Sequence, residues 1–346
     1  MALGKFQKTL QEKNIDVVFL THLDSNLTYF TQIKPSFAYL TITPKTATFY
    51  LTSLDVLPKL KGITSEILKK GWEKKITSSK VKKVGINKEL LSVNLFEKFR
   101  KLFPKAKFID VSKELKQLRS QKLPEEVKKI QKACSITTNA FNNLLEELPS
   151  KKLTTEQDVA FFLEREMRSQ NTTLAFPSIV AMGKNAATPH HLTSSQKLRK
   201  GFLLLDFGAC YQNYCSDMSR VVFLGTPNKS EKKFYNLLSL AQEAAIYEIK
   251  ENKPFFELDK CTRKNLGQYS SNFIHSLGHG VGIDVHEQPS FSPELKHTIQ
   301  KNQVFTIEPG IYFPNKFGLR IEDTLVFDGK STILTTAPKK LLKIRN

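Results

Sequence analysis

Two aspartates in the second half of the chain have the setting of paired metal ligands. Asp206 follows the apolar run 202–205, and Asp217 precedes a second β-prone run over 219–223. The residues between them fit a hairpin, which would bring the two carboxylates side by side. Carboxylates that close repel each other, and cations between them remove that cost. For this pair alone, two unrelated loop aspartates are the alternative interpretation.

A segment rich in histidine and glycine follows over residues 275–287. It contains His275, His279, His286, Gly278, Gly280 and Gly282. A zinc-protease helix of the HExxH type needs Glu at position 276, where this chain has Ser. The glycines also disfavour a continuous helix. The segment therefore predicts a turn or short strand whose backbone passes close to a ligand.

Two glutamates complete the set of candidate ligands. Glu308 ends the apolar run 304–307, and Glu322 lies inside the strand pattern 318–327, where an unpaired acid would be costly. Each alone could be an ordinary solvated acid, but with His279 the four acids could converge from strand ends. Five ligands, mostly oxygen, suit two ions of a harder cation such as Mn²⁺. Two ions about 3.5–4 Å apart can share a water molecule and lower its pKa.

The elements that must position these residues form two regions. In the first we expect an α/β domain, with helices over 3–13 and 93–102 and strands over 16–20, 38–42, 47–51, 84–86 and 108–110. A charged helix over 114–123 and a long helix beginning at Pro124 follow, then a helix over 155–169, and strand-like runs become dense after residue 175. The predicted domains are residues 1–120 and 121–346.

Composition limits the classes of function. Hydrophobic residues make up 40% of the 346, which excludes a wholly disordered chain. The net charge of +20 is compatible with nucleic-acid binding, but its densest basic group has no interleaved aromatic residues: Lys74, Lys75, Lys80, Lys82 and Lys83. We therefore expect a solvated lysine-rich surface, weak association with polyanions and no specific nucleic-acid partner. Without a signal peptide or a long apolar run, we expect a cytoplasmic protein with no membrane partner.

The motifs DxG, SDxxR, HSLGHGxG, VHE, IEPGIY and RIED occur in that order between residues 206 and 323. This order resembles the M24 "pita-bread" metallopeptidases, which include Xaa-Pro aminopeptidase and prolidase. The junction over 118–126 is similar to the usual link to a creatinase/prolidase-type N-terminal domain. The resemblance implies an α+β fold class, in which a smaller α/β creatinase/prolidase-type domain precedes a C-terminal pita-bread (creatinase/aminopeptidase) catalytic domain.

The resemblance also implies the ligands of two divalent metal ions. Asp217 and Glu322 would bridge both ions, and Asp206 would chelate one. His279 and Glu308 would bind the other. Mn²⁺ is the ion we expect, with Co²⁺ and Zn²⁺ as alternatives.

The remaining roles follow from the same resemblance. A hydroxide that bridges the ions would attack the scissile carbonyl of a proline-containing peptide, and Glu308 would shuttle the proton. His190 and His286 would stabilise the tetrahedral intermediate. His275 would line the substrate pocket or support the ligands, and Arg320 would orient the acidic ligands.

The implied activity is hydrolysis of the Xaa-Pro bond at the N-terminus of peptides by a homodimeric, aminopeptidase P-like enzyme. The chain departs from the family pattern at Ser219, where a Thr is usual, and at Ser290, where some dipeptidases have an Arg that binds the substrate carboxylate. Ser290 favours an aminopeptidase over an Xaa-Pro dipeptidase (prolidase), the first alternative. A non-peptidase M24-like binding protein with a basic surface and a creatinase-like enzyme are the others.

Overall fold

The structure is a computed structural model that describes residues 2–72 and 80–344. The chain divides into two compact units between Arg119 and Ser120. Lys74 and Lys75 of the basic group lie outside the described residues, as do residues 1, 345 and 346 at the ends of the predicted domains. Among the described helices, none has both the length and the hydropathy that crossing a membrane requires.

The first unit is a six-stranded sheet with helices on both faces. Its helices are α1 (Ala2–Glu12), α2 (Ser25–Thr31), α3 (Val93–Leu102) and α4 (Ser112–Ser120). Its strands are β1 (Val17–Thr21), β2 (Ala38–Ile42), β3 (Ala47–Leu51), β4 (Thr64–Ile67), β5 (Lys83–Ile86) and β6 (Lys107–Asp110), in the order β4-β3-β2-β1-β5-β6. The central strand β1 is apolar at successive positions because its residues pack alternately into cores on the two faces.

The predicted elements of this unit are confirmed, with bounds that shift by at most three residues. The charged helix begins at Ser112 rather than at residue 114 and ends at Ser120 rather than at residue 123. Two elements were not predicted, α2 and β4. Helix α2 has a local signal, because the Asp24 carboxylate accepts a hydrogen bond from the backbone N–H of Asn26 at its start.

The second unit has four long helices: α5 (Pro124–Glu147), α6 (Glu156–Arg168), α7 (Lys229–Tyr247) and α8 (Phe255–Leu266). Helix α5 starts at Pro124 as predicted, and the Glu126 carboxylate accepts a hydrogen bond from the N–H of Leu123. Helix α6 starts after Thr155, whose hydroxyl accepts from the N–H of Asp158. Its predicted span of 155–169 includes the two residues that flank the helix.

The strands of the second unit form several small sheets. They are β7 (Thr173–Leu174), β8 (Ile179–Met182), β9 (Gly201–Phe207), β10 (Ala209–Tyr211), β11 (Tyr214–Cys215), β12 (Met218–Leu224), β13 (His279–Gly280), β14 (Glu287–Ser290), β15 (Gln303–Ile307), β16 (Gly310–Phe313), β17 (Phe317–Arg320), β18 (Asp323–Phe327), β19 (Ser331–Ile333) and β20 (Leu342–Ile344). The sheet orders are β20-β12-β9-β8, β14-β13-β15-β18-β19 and β11-β10-β7, with β16 and β17 as a separate hairpin. Apolar side chains from α7 and α8 pack against strands of the first two sheets, and those of α5 and α6 pack on β8, β9 and β12.

Candidate metal centre

All five predicted ligands converge in the second unit. The ligand atoms of Asp206, Asp217 and Glu322 lie within 4.8 Å of one another, as do those of His279, Glu308 and Glu322. Glu322 belongs to both groups, so the two sets share one carboxylate. A third group of the same size joins Asp217 and His279 to the ring of His286.

The two aspartates come together because their strands pair. Strands β9 and β12 are antiparallel, with Asp206 opposite Ser219, and the short β10–β11 hairpin closes the loop between them. Asp217 directly precedes β12, and its backbone carbonyl accepts a hydrogen bond of 2.7 Å from the Thr324 hydroxyl. The prediction that a hairpin brings these carboxylates side by side is confirmed.

Glu322 occupies a different position from the one that the sequence pattern predicted. It lies in the break between β17 and β18 rather than inside a strand. At this break the chain passes from the β16–β17 hairpin to the sheet that contains β18. The N–H of Glu322 donates to the backbone carbonyl of Ser219, and the Ser219 hydroxyl donates to the Glu322 carboxylate over 2.8 Å.

His279 lies on β13 and presents Nε2 to the carboxylates. Its Nδ1 lies 3.2 Å from the backbone carbonyl of Gly280, an acceptor that requires the proton on Nδ1 and leaves Nε2 free to bind a metal ion. Nε2 is 3.2 Å from Oε1 of Glu308. The glycines of this segment allow close backbone packing, because a Cβ atom at Gly278 would lie 2.2 Å from the Thr306 carbonyl oxygen. The predicted turn or short strand is confirmed.

Arg320 connects the acidic residues to one wall of the site. It donates to Asp206 over 2.5 Å, to the Ser219 hydroxyl over 2.9 Å and to the Tyr312 hydroxyl over 2.8 Å. Nε2 of His275 is 2.9 Å from the same Tyr312 oxygen, and its Nδ1 is 2.8 Å from the Ser276 carbonyl. Since a carbonyl can only accept, Nδ1 carries the proton of His275 and Nε2 accepts from Tyr312. Burial lowers the pKa of His275, which keeps the ring neutral.

The site concentrates negative charge in a buried place. Burial and the neighbouring carboxylate of Asp206 raise the pKa of Asp217 well above its ordinary value, and burial and Asp217 do the same for Glu322. Burial works to lower the pKa of His279, but Glu308 and Asp217 raise it to about 9. Burial would likewise raise the pKa of Glu308, but the hydrogen bond and charge of His279 hold it below its ordinary value.

Three buried carboxylate oxygens that lack hydrogen-bond partners among the described residues suit divalent cations. Oδ1 of Asp206, Oδ1 of Asp217 and Oε1 of Glu322 are buried and have no hydrogen-bond partner among the described residues. Buried polar atoms without partners are rare in folded proteins and call for an explanation such as an ion. Several carboxylates with one imidazole are a donor set that suits divalent cations of intermediate hardness.

A cavity of about 810 Å³ opens onto these residues. His190 and His286 line it, and both are exposed. The His286 ring packs edge-on against that of His279, with 4.2 Å between the ring centroids. The residues that line the cavity therefore include both histidines expected to contact substrate and all five residues expected to bind metal ions.

Two residues that contact predicted site residues had not been assigned roles from the sequence, Ser219 and Tyr312. A third without an assigned role, Glu156, hydrogen-bonds to His191, the neighbour of His190. Ser219 and Tyr312 stand inside the SDxxR and IEPGIY motifs, so their positions were a signal. Glu156 had none beyond a helix start, although its carboxylate is fully buried.

Comparison with known proteins identifies the family. Metallopeptidase family M24 matches residues 128–328, and the creatinase/prolidase N-terminal domain matches residues 3–121. The chain belongs to metallopeptidase family M24. It is 32% identical to the Xaa-Pro dipeptidase of Pyrococcus furiosus over 358 aligned positions, covering 98% of this chain and 99% of that one.

Solved structures of M24 relatives have the same fold over nearly their full length. The X-Pro aminopeptidase of Thermotoga maritima has a TM-score of 0.88 at 31% identity and covers 96% of this chain and 98% of its own. The prolidase of Pyrococcus horikoshii has a TM-score of 0.90 at 31% identity and covers 99% of both chains. The predicted fold class, a creatinase-type N-terminal domain followed by a pita-bread domain, is confirmed, as is the prediction of a metallopeptidase.

Proposed function

We propose that this M24 metallopeptidase hydrolyses the Xaa-Pro bond at the N-terminus of peptides. One observation carries the proposal: a complete set of acidic and histidine ligands converges on one cavity, in a chain whose whole length matches Xaa-Pro peptidases. Buried carboxylates without partners are costly unless cations are bound, which argues against a binding protein that has lost its metal ions.

The proposed ligands are Asp206, Asp217, His279, Glu308 and Glu322, around two divalent ions. Bound ions would act as Lewis acids on the scissile carbonyl and lower the pKa of water. We propose Mn²⁺ because oxygen ligands outnumber the single imidazole nitrogen. A homodimer, a cytoplasmic location and the domain limits 1–120 and 121–346 stay predictions.

The chain's own residues would orient the ligands and move the proton. Arg320 holds Asp206, and Ser219 holds Glu322, so each carboxylate keeps one oxygen fixed and the other directed into the site. Glu308 Oε1 accepts a hydrogen bond of 3.2 Å from Thr306 and is the proposed carrier of the proton from water to the proline nitrogen.

The proposed stabilisers of the oxyanion are His190 and His286, whose rings border the cavity. Burial lowers the pKa of His286, so its ring is neutral at pH 7 and donates through a single N–H group. Such donors act on the charge that develops on the carbonyl oxygen in the transition state.

The length of the substrate separates two forms of this function. Arg320 is the single arginine or lysine among the described residues that line the cavity, and it is bound to Asp206. Ser290, which also lines the cavity, cannot form an ion pair with a carboxylate. These observations favour longer peptides, whereas the name of the Pyrococcus furiosus relative favours an Xaa-Pro dipeptidase as the second candidate function.

The test measures hydrolysis of Xaa-Pro dipeptides, Xaa-Pro-Yaa tripeptides and Xaa-Ala-Yaa tripeptides by the full chain with Mn²⁺. We expect cleavage of Xaa-Pro-Yaa, none of Xaa-Ala-Yaa, and none by Asp217→Ala. The matched control is Asp328→Asn, at an exposed aspartate outside the cavity, which should be as active as the wild type. Activity that persists in Asp217→Ala would refute the metal site, and cleavage of dipeptides alone would establish the dipeptidase.

A further inference from the structure

Glu156 is a fully buried carboxylate outside the proposed ligand set. It is the first residue of α6, but it does not cap that helix. Thr155 and Asp158 do so, because the Thr155 hydroxyl accepts from the Asp158 N–H and the Asp158 carboxylate accepts from the Thr155 N–H. The Glu156 carboxylate is therefore available for hydrogen bonds to residues outside the helix.

Five hydrogen bonds converge on this carboxylate, and every donor lies between residues 182 and 194. The donors are Met182 N (2.7 Å), Asn185 Nδ2 (2.8 Å), His191 Nε2 (3.0 Å), Ser194 N (3.1 Å) and Ser194 Oγ (2.6 Å). We call residues 182–194 the His190 loop, because they carry His190 into the wall of the cavity. Glu156 is bonded to both ends of this loop and to the neighbour of His190.

These bonds are stronger than ordinary loop contacts. Burial alone would raise the pKa of Glu156, but its hydrogen bonds with Ser194, Met182 and His191 hold it below its ordinary value. The carboxylate is therefore charged at neutral pH, and its bonds are charge-assisted. Its place at the N-terminus of α6 adds a favourable interaction with the helix dipole. By contrast, the bond from Arg320 to the carbonyl of Pro189, in the same loop, is 3.4 Å long.

We propose that Glu156 is a positioning residue that holds the His190 loop so that the His190 ring borders the cavity. The proposal rests on the proposed function, in which His190 contacts the scissile carbonyl. Glu156 touches no substrate in this account and acts only through the loop.

The decisive variant is Glu156→Gln, which keeps the size of the side chain but replaces one carboxylate oxygen with an NH₂ group. That group would face either Met182 and Asn185 or His191 and Ser194, which are themselves donors. The matched control is Asp158→Asn. Asp158 lies in the same first turn and also accepts three hydrogen bonds, but from Thr154 and Thr155 rather than from the His190 loop.

The first measurement is a double-mutant cycle on hydrolysis of an Xaa-Pro-Yaa peptide. We expect Glu156→Gln and His190→Ala each to lower kcat by about 10- to 100-fold, the range for a displaced reacting group. Because Glu156 acts through His190, the double variant should be no slower than His190→Ala alone. Metal content should equal that of the wild type, and Asp158→Asn should keep the wild-type kcat. If the two effects multiply in the double variant, the proposal is wrong.

The second measurement does not depend on activity. Hydrogen exchange of the metal-free chain should show the Met182 and Ser194 amides protected in the wild type and in Asp158→Asn, and at least 10-fold faster in Glu156→Gln. Unchanged exchange at both amides would overturn the proposal. If His190→Ala keeps full activity while exchange rises as expected, the role given to His190 fails and the anchoring of the loop stands.

A weaker variant covers the case in which Glu156→Gln does not fold. Ser194→Ala removes a single donor to Glu156 and leaves the carboxylate and its four other bonds in place. We expect an intermediate loss of kcat and an intermediate rise in exchange at residue 182. A wild-type value for both would count against the proposal.

Discussion

Replacing Asp217 with asparagine should make the metal-free protein more stable and the metal-loaded protein less stable. Asp217 is buried beside Asp206 and Glu322, with ligand atoms within 4.8 Å, and it has one oxygen without a partner among the described residues. Without cations, these like charges disfavour the folded chain. Asparagine removes one charge and keeps the shape of the side chain.

The size of the effect follows from the geometry. Two like charges about 5 Å apart repel by about 3 kcal/mol at an effective dielectric constant near 20. Protonation of one carboxyl relieves part of that repulsion, as the raised pKa values of Asp217 and Glu322 indicate. We therefore expect a net gain of about 1–3 kcal/mol in the metal-free variant, which is about 2–12 °C in Tm for a unit of this size.

Bound metal should stabilise the wild type more than it stabilises Asp217→Asn. A cation at 100 times its Kd stabilises the folded wild type by about 2.7 kcal/mol, or about 5–11 °C in Tm. Asp217→Asn loses a proposed bridging ligand, so its Tm should respond weakly to metal. The order of stability of the two proteins should therefore reverse between chelator and Mn²⁺.

Differential scanning calorimetry in EDTA and in excess Mn²⁺ measures both effects. Asp328→Asn is the control, because it removes an exposed carboxylate outside the cavity and should keep the wild-type response to metal. The reasoning is refuted if Asp217→Asn is less stable than the wild type in EDTA, or if both proteins gain the same Tm from Mn²⁺.

Three further predictions concern other residues. Arg220→Met should cost about 3–5 kcal/mol in urea denaturation, because it leaves the buried Asp323 carboxylate without its 2.7 Å partner. Burial alone would raise the pKa of Asp323, but Arg220 holds it below its ordinary value. The difference in stability between the wild type and the variant should therefore be full at pH 7 and shrink as the pH falls below about 4. A difference independent of pH would contradict this. Ser290→Arg should raise kcat/KM for Xaa-Pro dipeptides relative to tripeptides by about 10-fold or more, through a charge-assisted bond to the free carboxylate. An unchanged ratio would show that residue 290 does not determine the preferred length of the substrate. Gly278→Ala should lower the free energy of unfolding by about 1–3 kcal/mol, because the new methyl group would overlap the Thr306 carbonyl; a wild-type value in urea denaturation would contradict the close backbone packing.

The sequence predicted the side chains that converge on the cavity better than it predicted the residues that support them. A proposed ligand such as Asp206 interrupts an apolar strand, and such an interruption is visible locally because a buried acid is costly. Glu156 gives no such signal, since an acid in the first turn of a helix is ordinary. Its burial depends on a loop that starts 26 residues later in the chain, and such long-range contacts leave no periodic pattern in the sequence.

The error at Glu322 has a related cause. The alternation of residues over 318–327 is typical of a single strand. The pattern does not reveal that the two ends of this run belong to different sheets. The structure breaks the run at Ile321 and Glu322, where the N–H groups bond to Pro309 and Ser219 instead of to a neighbouring strand of the ladder. A break frees the Glu322 side chain from strict alternation, so it can face the other ligands.

The charges around this break bear on the number of cations that the proposed site would hold. On one side of Glu322, Asp323 is neutralised by Arg220 and lies against Lys339, so it adds no net negative charge. On the other side, Arg320 offsets one of the four proposed ligand carboxylates and leaves about three negative charges for the cavity. One divalent ion would leave a net charge of −1 and two would leave +1, so the count alone permits either number. The presence of Glu322 in both groups of candidate ligands favours two, because one carboxylate that lies near both groups could serve both ions.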